Sequence, residues 1–335
     1  LAVRRDGIVI SAGDTEGIRR GLVEPEDRIL ARDHAALPCG MTRRRPVIRT
    51  RLSRCFYGPI NRPPKCRDEL ADRVNYYPDG YLNRLAHHGI NALWLTIRFR
   101  DLCASSVLPE LGPASPRRLE KLRRTIRQCA RYGIKLYPFC IEPAALPLDS
   151  PVFRAHPELK GAPIMGGRAC FCTSSQTGCA YLEEAARTVF AQAPGLGGLV
   201  CIPVGERFTH CYSCRFPTSC PRCARRAPWA VLSDTLAALE RGMRAAAPGA
   251  ELIAWPYGQL GDWGPARTVK AAGRLPPHVI LQHNFETGGR VRQLGAWRTL
   301  SDYWLSWAGP SRVFADCARA ARARGGDRRG CGWAG

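Results

Sequence analysis

Residues 195–206, Gly-Leu-Gly-Gly-Leu-Val-Cys-Ile-Pro-Val-Gly-Glu, pass from a glycine-rich turn through an apolar run to one carboxylate, Glu206. Leu199, Val200, Cys201, Ile202 and Val204 leave no polar face, which is the pattern of a strand covered on both sides in a parallel sheet. Helical sequence from Tyr181 to Ala193 comes before it and stops at Pro194-Gly195. In a (β/α)8 barrel, chemistry sits at the C-terminal ends of the strands. A carboxylate ending such a strand makes Glu206 the first candidate catalytic residue.

The flanking sequence repeats this alternation of strand and helix. Tyr81 to His88 reads as a helix, and Asn91 to Phe99 as the first barrel strand. Pro116 opens an amphipathic helix with Leu119, Leu122, Ile126 and Cys129 on one face, closed by Gly133. Ile134 to Ile141 is expected as the second strand, Arg168 to Cys172 as a short third and Leu199 to Val204 as the fourth. The helix Trp229 to Ala247 has Leu232, Leu236, Leu239 and Met243 in register. Strands five to seven are expected at Glu251 to Trp255, Val279 to Asn284 and Tyr303 to Trp307.

No eighth strand is legible, because after Phe314 the chain turns to Arg, Ala and Gly without apolar periodicity. Upstream, Asp6 to Ile10, a helix near Thr15 to Leu22 and a strand within Pro46 to Phe56 read as the end of a small α+β domain. The expected class is therefore α/β, an incomplete (β/α)8 TIM-type barrel over residues 57–314. Residues 1–56 would close a small N-terminal α+β domain, and 315–335 would be an unstructured or aberrant tail. A barrel without its last strand has two open edges, so the chain reads as a fragment.

The 335 residues carry a formal net charge of +22, from 50 basic and 28 acidic side chains. Only five of the basic residues are Lys (65, 121, 135, 160 and 270), and the Arg residues are spread along the whole chain. A nucleic-acid binder would group them with aromatics on one face, so no nucleic-acid partner is expected. No run of 18 apolar residues is present, and no membrane span is expected. The 16 cysteines are irregularly spaced, and Cys129, Cys140 and Cys201 fall at apolar positions. That usage favours a reducing, cytoplasmic compartment over a secreted one.

Hydrolysis of a glycosidic bond needs an acid for the leaving oxygen and a second group at the anomeric carbon. Four strand-end carboxylates qualify: Glu206, Glu286 after the sixth strand, Glu142 after the second and Asp101 after the first. Each has an alternative role as an ion-pair partner for one of the many Arg residues.

Several segments, in order, resemble family 20 glycoside hydrolases, the β-N-acetylhexosaminidase-like family, over about residues 6–310. Pro46-Val47-Ile48-Arg49-Thr50-Arg51 is similar to the Pro-x-Phe-x-x-Arg segment that opens that barrel. Tyr81 to Asn91 resembles its first helix-to-strand passage, and Ala130-Arg131-Tyr132-Gly133-Ile134 through Pro138 its Ala-x-x-x-Gly-Ile…Pro stretch. Cys220-Pro221-Arg222-Cys223 resembles the Cys-Pro-x-Cys after its catalytic strand. The resemblance implies a sugar-hydroxyl-binding role for Arg51 and a general acid/base role for Glu206. It also marks two departures. The family's Asp-Glu pair, whose Asp orients the acetamido group, is here Gly205-Glu206, and Pro143-Ala144-Ala145 replaces its Pro-Gly-His. The substrate is accordingly not expected to be a standard N-acetylhexosaminide.

The site expected from the sequence has Glu206 and Glu286 as catalytic groups. Arg51, Asp101, Glu142, Trp255, Tyr257, Trp263 and His283 would line the sugar site. Trp304 and Trp307 are further aromatic candidates, with core packing as their alternative, and His210 could hydrogen-bond a hydroxyl. Cys211-x2-Cys214-x5-Cys220-x2-Cys223 gives two knuckles in thirteen residues, the donor set of a structural zinc. Disulfides or unpaired thiols remain the alternatives, and no organic cofactor is expected. The function expected is O-glycoside hydrolysis on a carbohydrate substrate, and the alternative is a non-catalytic carbohydrate-binding barrel on the same scaffold.

Overall fold

Seven strands alternate with helices along the chain and line up in one sheet in chain order. The computed structural model describes residues 1–32, 36–54, 68–205, 208–213, 217–256, 263–300, 309–325 and 331–334. Within them the sheet strands are β1 (Leu52–Arg54), β2 (Ala92–Ile97), β3 (Lys135–Cys140), β4 (Gly198–Val204), β5 (Glu251–Pro256), β6 (Ile280–Asn284) and β7 (Cys331–Ala334). Their pairing is parallel, as in β1 with β2, β4 with both β3 and β5, β5 with β6, and β6 with β7. Parallel neighbours in monotonic order, joined through helices, define an incomplete (β/α) barrel whose outer strands are β1 and β7 among the described residues.

The longer helices are α1 (Thr15–Leu30), which precedes β1, and α2 (Asp79–His87), α3 (Pro116–Arg131), α4 (Gln176–Gln192), α5 (Pro228–Ala246), α6 (Gly264–Ala272) and α7 (Arg312–Ala323), which connect the strands. No helix among the described residues is long and apolar enough to cross a membrane.

The chain divides into two compact units, Leu1–Leu95 with Lys121–Leu136, and Thr96–Glu120 with Tyr137–Gly335. In the first unit, α1 is capped by Asp14, whose carboxylate accepts from Gly17 N at 2.7 Å. The same unit holds a small antiparallel sheet of Ala2–Arg4, Gly7–Val9 and Gly40–Met41. Residues 1–56 do not stand apart there. Leu52, Ser53 and Arg54 pair with Ala92, Leu93 and Trp94, so the last strand expected for a small N-terminal domain is the first strand of the barrel sheet.

The second unit contains the core that residues 195–206 imply. All seven residues of β4 are buried, and the helices α4 and α5 pack against each other in the same unit. In α5 the buried set includes Leu232, Leu236, Leu239 and Met243, as the helical register requires. In α4, Ser175 caps the first turn by accepting from Gly178 N at 3.0 Å, and Leu182, Ala185, Ala186 and Val189 are buried.

Two strand and tail assignments are corrected. Arg168–Phe171 is not a barrel strand. It runs antiparallel between Leu146–Pro147 and Lys160–Ile164, in a separate three-stranded sheet. Gly166 and Gly167, at φ of 75° and 65°, reverse the chain between the last two strands, a turn signal that outweighs the β propensity of the segment alone. Nor is the region after Phe314 structureless. Helix α7 is capped by Ser311, which accepts from Phe314 N at 3.1 Å, and it buries Val313, Cys317 and Ala321 at four-residue spacing. Its apolar stripe is made of small residues set among Arg, so the hydropathy pattern is faint although the geometry is regular. The seventh strand expected at Tyr303 to Trp307, and with it Trp304 and Trp307, lies outside the described residues.

Candidate active site and cysteine cluster

The C-terminal ends of β3, β4, β5 and β6 all belong to the second unit and carry most of the candidate residues. Beyond β3, Glu142 is buried with 3% exposure. Its carboxylate accepts from Arg100 Nε at 3.3 Å and from Ala144 N at 2.9 Å. Burial pushes the Glu142 carboxyl above its ordinary pKa, and the Arg100 charge pulls it back only in part. Tyr181 belongs to the same electrostatic neighbourhood; its hydroxyl is buried with no hydrogen-bond partner, and burial and Glu142 raise its pKa well above the usual value. Asp101 takes Arg98 as its partner, Nε to Oδ2 at 2.8 Å. Both carboxylates are thus ion-paired, the alternative the sequence had left open for them.

Beyond β4 comes Gly205, at φ +101°. Its N–H donates to Ser213 O at 2.6 Å, folding the following loop back against the strand end. A side chain at this φ would be strained, so the backbone itself disfavours the Asp that precedes the catalytic Glu in the resembling family. Glu206 follows directly in the chain and lies outside the described residues, as does Tyr257 beyond β5.

Trp255, the last residue but one of β5, donates from Nε1 to Asn284 Oδ1 at 2.6 Å. Asn284 closes β6, is fully buried, and its Nδ2 has no partner. Its neighbour His283 is also buried, with Nδ1 2.9 Å from Asn284 O and its ring edge-on to Phe314 at 6.1 Å. Burial lowers the His283 pKa, so the ring is neutral and Nδ1 carries the donated proton. Glu286 and Thr287 follow, both buried, and Thr287 Oγ1 has no partner. The structure joins Trp255 to the end of β6 through Asn284, while His283 packs on Phe314 of α7 and Glu286 lies buried two residues beyond β6. Asn284 has no signal in the sequence beyond its place at a strand end.

Two sugar-site candidates have other roles. Trp263 is buried and donates from Nε1 to Tyr212 O at 2.7 Å, so it is a strut for the loop after β4 instead of an open stacking surface. Arg51 precedes β1, at the N-terminal end of its strand, whereas barrel ligands bind at the C-terminal ends. Its guanidinium donates to Gly89 O at 2.5 Å, Ile48 O at 2.8 Å and Arg49 O at 3.0 Å, and pairs with Glu16. Every face of that fork is occupied by local structure.

His210, Cys211 and Cys220 sit in the segment after β4, and all three are buried. His210 Nδ1 accepts from Tyr212 N at 3.1 Å, and burial brings its pKa down to about 3. This is a neutral structural imidazole. The Sγ atoms of Cys172, Cys211, Cys220 and Cys223 all lie within 4.8 Å of one another and all four residues are buried. Cys214, the second knuckle residue, lies outside the described residues. Cys172 is the ligand-type residue that sequence reasoning missed. It follows the antiparallel excursion, 48 residues from Cys220 in the chain, and its only local signal is the Cys170-x-Cys172 pair.

Cys172 Sγ is 3.8 Å from Cys220 Sγ and 3.7 Å from Cys223 Sγ, and these thiols are free, not disulfide-linked. Hydrogen bonds from neighbouring thiols pull Cys172 down to about 6 and lower Cys220 as well, while Cys211 and Cys223 are pushed up. Four buried cysteine sulfurs this close together could hold a metal ion.

No protein-family model matches the chain, and no curated protein sequence does. Solved structures do. A GH138 enzyme targeting pectin rhamnogalacturonan II superposes with a TM-score of 0.51 at 13% identity, over 81% of this chain and 30% of that one. A β-N-acetylhexosaminidase gives 0.47 at 14% identity, over 99% and 77%. A Thermobaculum terrenum O-GlcNAc hydrolase gives 0.44 at 12% identity, over 71% and 41%. The chain thus spans 30% of the GH138 enzyme and 41% of the O-GlcNAc hydrolase. At such identities the likeness is one of fold, a (β/α)-type barrel distant in sequence, and family 20 is not singled out.

Proposed function

We propose that the chain is a glycoside hydrolase acting on O-glycosidic bonds of a carbohydrate substrate. The observation that carries this reading is that buried polar and aromatic groups stand at or just beyond the C-terminal ends of strands in one sheet: Glu142 after β3, Trp255 on β5, and Asn284 and Glu286 at and after β6. Glu206, one residue beyond β4 and Gly205, is the general acid/base. Its carboxyl gives a proton to the leaving oxygen, and water adds at the anomeric carbon with its proton returned to a carboxylate. Glu286 is the partner carboxylate. The absence of an Asp before Glu206, where Gly205 stands, supports a substrate other than a standard N-acetylhexosaminide.

The four-cysteine cluster, in this reading, holds a structural zinc that supplies no chemistry to the reaction. A second reading, a non-catalytic sugar-binding barrel, has in its favour the same loss of an acidic neighbour at Gly205. Turnover on a panel of aryl glycosides separates the two. Glu206→Gln is expected to lower kcat by about 10²-fold or more, with ligand binding kept. Near-normal turnover in that variant removes Glu206 from the mechanism, and binding without any turnover in the wild-type chain selects the second reading.

A further inference from the structure

We infer that Cys172, Cys211, Cys220 and Cys223 together bind one zinc ion, and that this ion clamps the antiparallel excursion between β3 and α4 to the loop leaving β4 through Gly205. The inference deepens the structural-zinc part of the proposed function by assigning its ligands and its mechanical role, and it does not depend on glycosidase activity.

The sulfur geometry carries it first. Tetrahedral zinc with Zn–S bonds of about 2.3 Å has sulfur atoms about 3.8 Å apart along each tetrahedron edge. Cys172 lies 3.8 Å from Cys220 and 3.7 Å from Cys223, and none of the four sulfurs is more than 4.8 Å from another. Four thiolates complete a closed structural site, so Cys214 is not needed as a fifth donor.

The surroundings carry it further. A tetrathiolate zinc centre has excess negative charge, which hydrogen-bond donors and a nearby cation offset. Arg222 Nε donates to Cys172 Sγ at 3.4 Å while its Nη2 is fixed on Lys160 O at 2.7 Å. Ser174 Oγ lies 3.2 Å from Cys223 Sγ. Space is reserved for the cluster as well. A Cβ built on Gly161 would collide with Cys211 Sγ and lie 2.7 Å from Cys170 O, so the strand Lys160–Ile164 can approach the thiols only with glycine there.

The topology then gives the consequence. Cys172 ends the antiparallel sheet, and Cys211, Cys220 and Cys223 lie in the segment between β4 and α5, which Gly205 opens by donating to Ser213 O. One ion bonded to both ties that segment to the antiparallel excursion.

The test uses the purified full chain. Zinc is measured by elemental analysis, and the X-ray absorption of the bound metal reports its donors. One zinc per chain with four sulfur neighbours at about 2.3 Å is expected. Cys172→Ser is expected to weaken zinc retention against a competing chelator at least about tenfold, and Cys214→Ser to leave it unchanged. Zinc well below one per chain in the wild type, or a mixed sulfur–nitrogen shell, overturns the inference. So does loss of zinc in Cys214→Ser with retention in Cys172→Ser. Should Cys172→Ser fail to fold, the wild-type absorption data together with Cys214→Ser still decide. Glycosidase turnover enters none of these readouts, so their failure is distinct from failure of the enzymatic reading.

Discussion

Replacing Arg100 by Ala tests whether Glu142 is held as a structural anion. The carboxylate is 3% exposed, and besides Arg100 it accepts from the Ala144 N–H at 2.9 Å. Removing one partner of a buried ion pair costs about 3–5 kcal/mol, because the other charge is left without compensation. Protonation sets a ceiling on the electrostatic part of that loss. Bringing a carboxyl of ordinary pKa about 4.5 to its neutral form at pH 7 costs about 3.4 kcal/mol, at 1.36 kcal/mol per unit. At pH 5.5 the same ceiling is about 1.4 kcal/mol.

The folded pKa of Glu142 lies above its unfolded value, so the folded state holds the proton more tightly. Its contribution is therefore complete below the unfolded pKa and declines as pH rises through the folded one. Arg100→Ala should be destabilised at pH 7 by less than that ceiling, because the folded wild type already holds the Glu142 proton more tightly, and by less again at pH 5.5, read from urea midpoints followed by Trp fluorescence. Adding Glu142→Gln should recover most of the loss and flatten its pH dependence, because the amide still accepts from Ala144 N. A loss under about 0.5 kcal/mol, or one that does not change between pH 5.5 and 7, would refute the argument.

Two further outcomes follow from the β5–β6 edge. Trp255→Phe removes the donor to Asn284 Oδ1 inside a buried pair whose amide nitrogen already lacks a partner, and is expected to cost about 1–3 kcal/mol in thermal unfolding. An unchanged Tm would show that this hydrogen bond contributes nothing to stability. His283 is kept neutral by burial, so the unfolded chain takes up its proton first as pH falls below about 6.5, and stability drops at up to about 1.4 kcal/mol per pH unit. His283→Gln should flatten that acid limb; an unaltered slope between pH 6.5 and 5 would assign the acid sensitivity to other groups.

The sequence by itself determined what local chain order controls. The apolar run 199–204 reads as a strand buried on both faces, and the register of Leu232, Leu236, Leu239 and Met243 as the inner face of a helix. Burial period and turn residues act over a few positions, and they were enough for the α/β class and for strand ends carrying Glu142, Trp255, His283 and Glu286.

The tertiary structure decided what depends on distant residues meeting. Cys172 completes a cluster with sulfurs up to 51 residues away, which no local spacing encodes. Arg168–Phe171 has strand propensity, but its partners Leu146–Pro147 and Lys160–Ile164 take it out of the barrel sheet. Arg51 matched a sugar-binding position in order along the chain, yet Gly89, Ile48 and Arg49 carbonyls and Glu16 claim its guanidinium. The strand that ends before Glu206 was legible because a buried strand declares itself through its own side chains. The ligands and ion pairs around it were not, since each needs a partner that only folding brings within bonding distance.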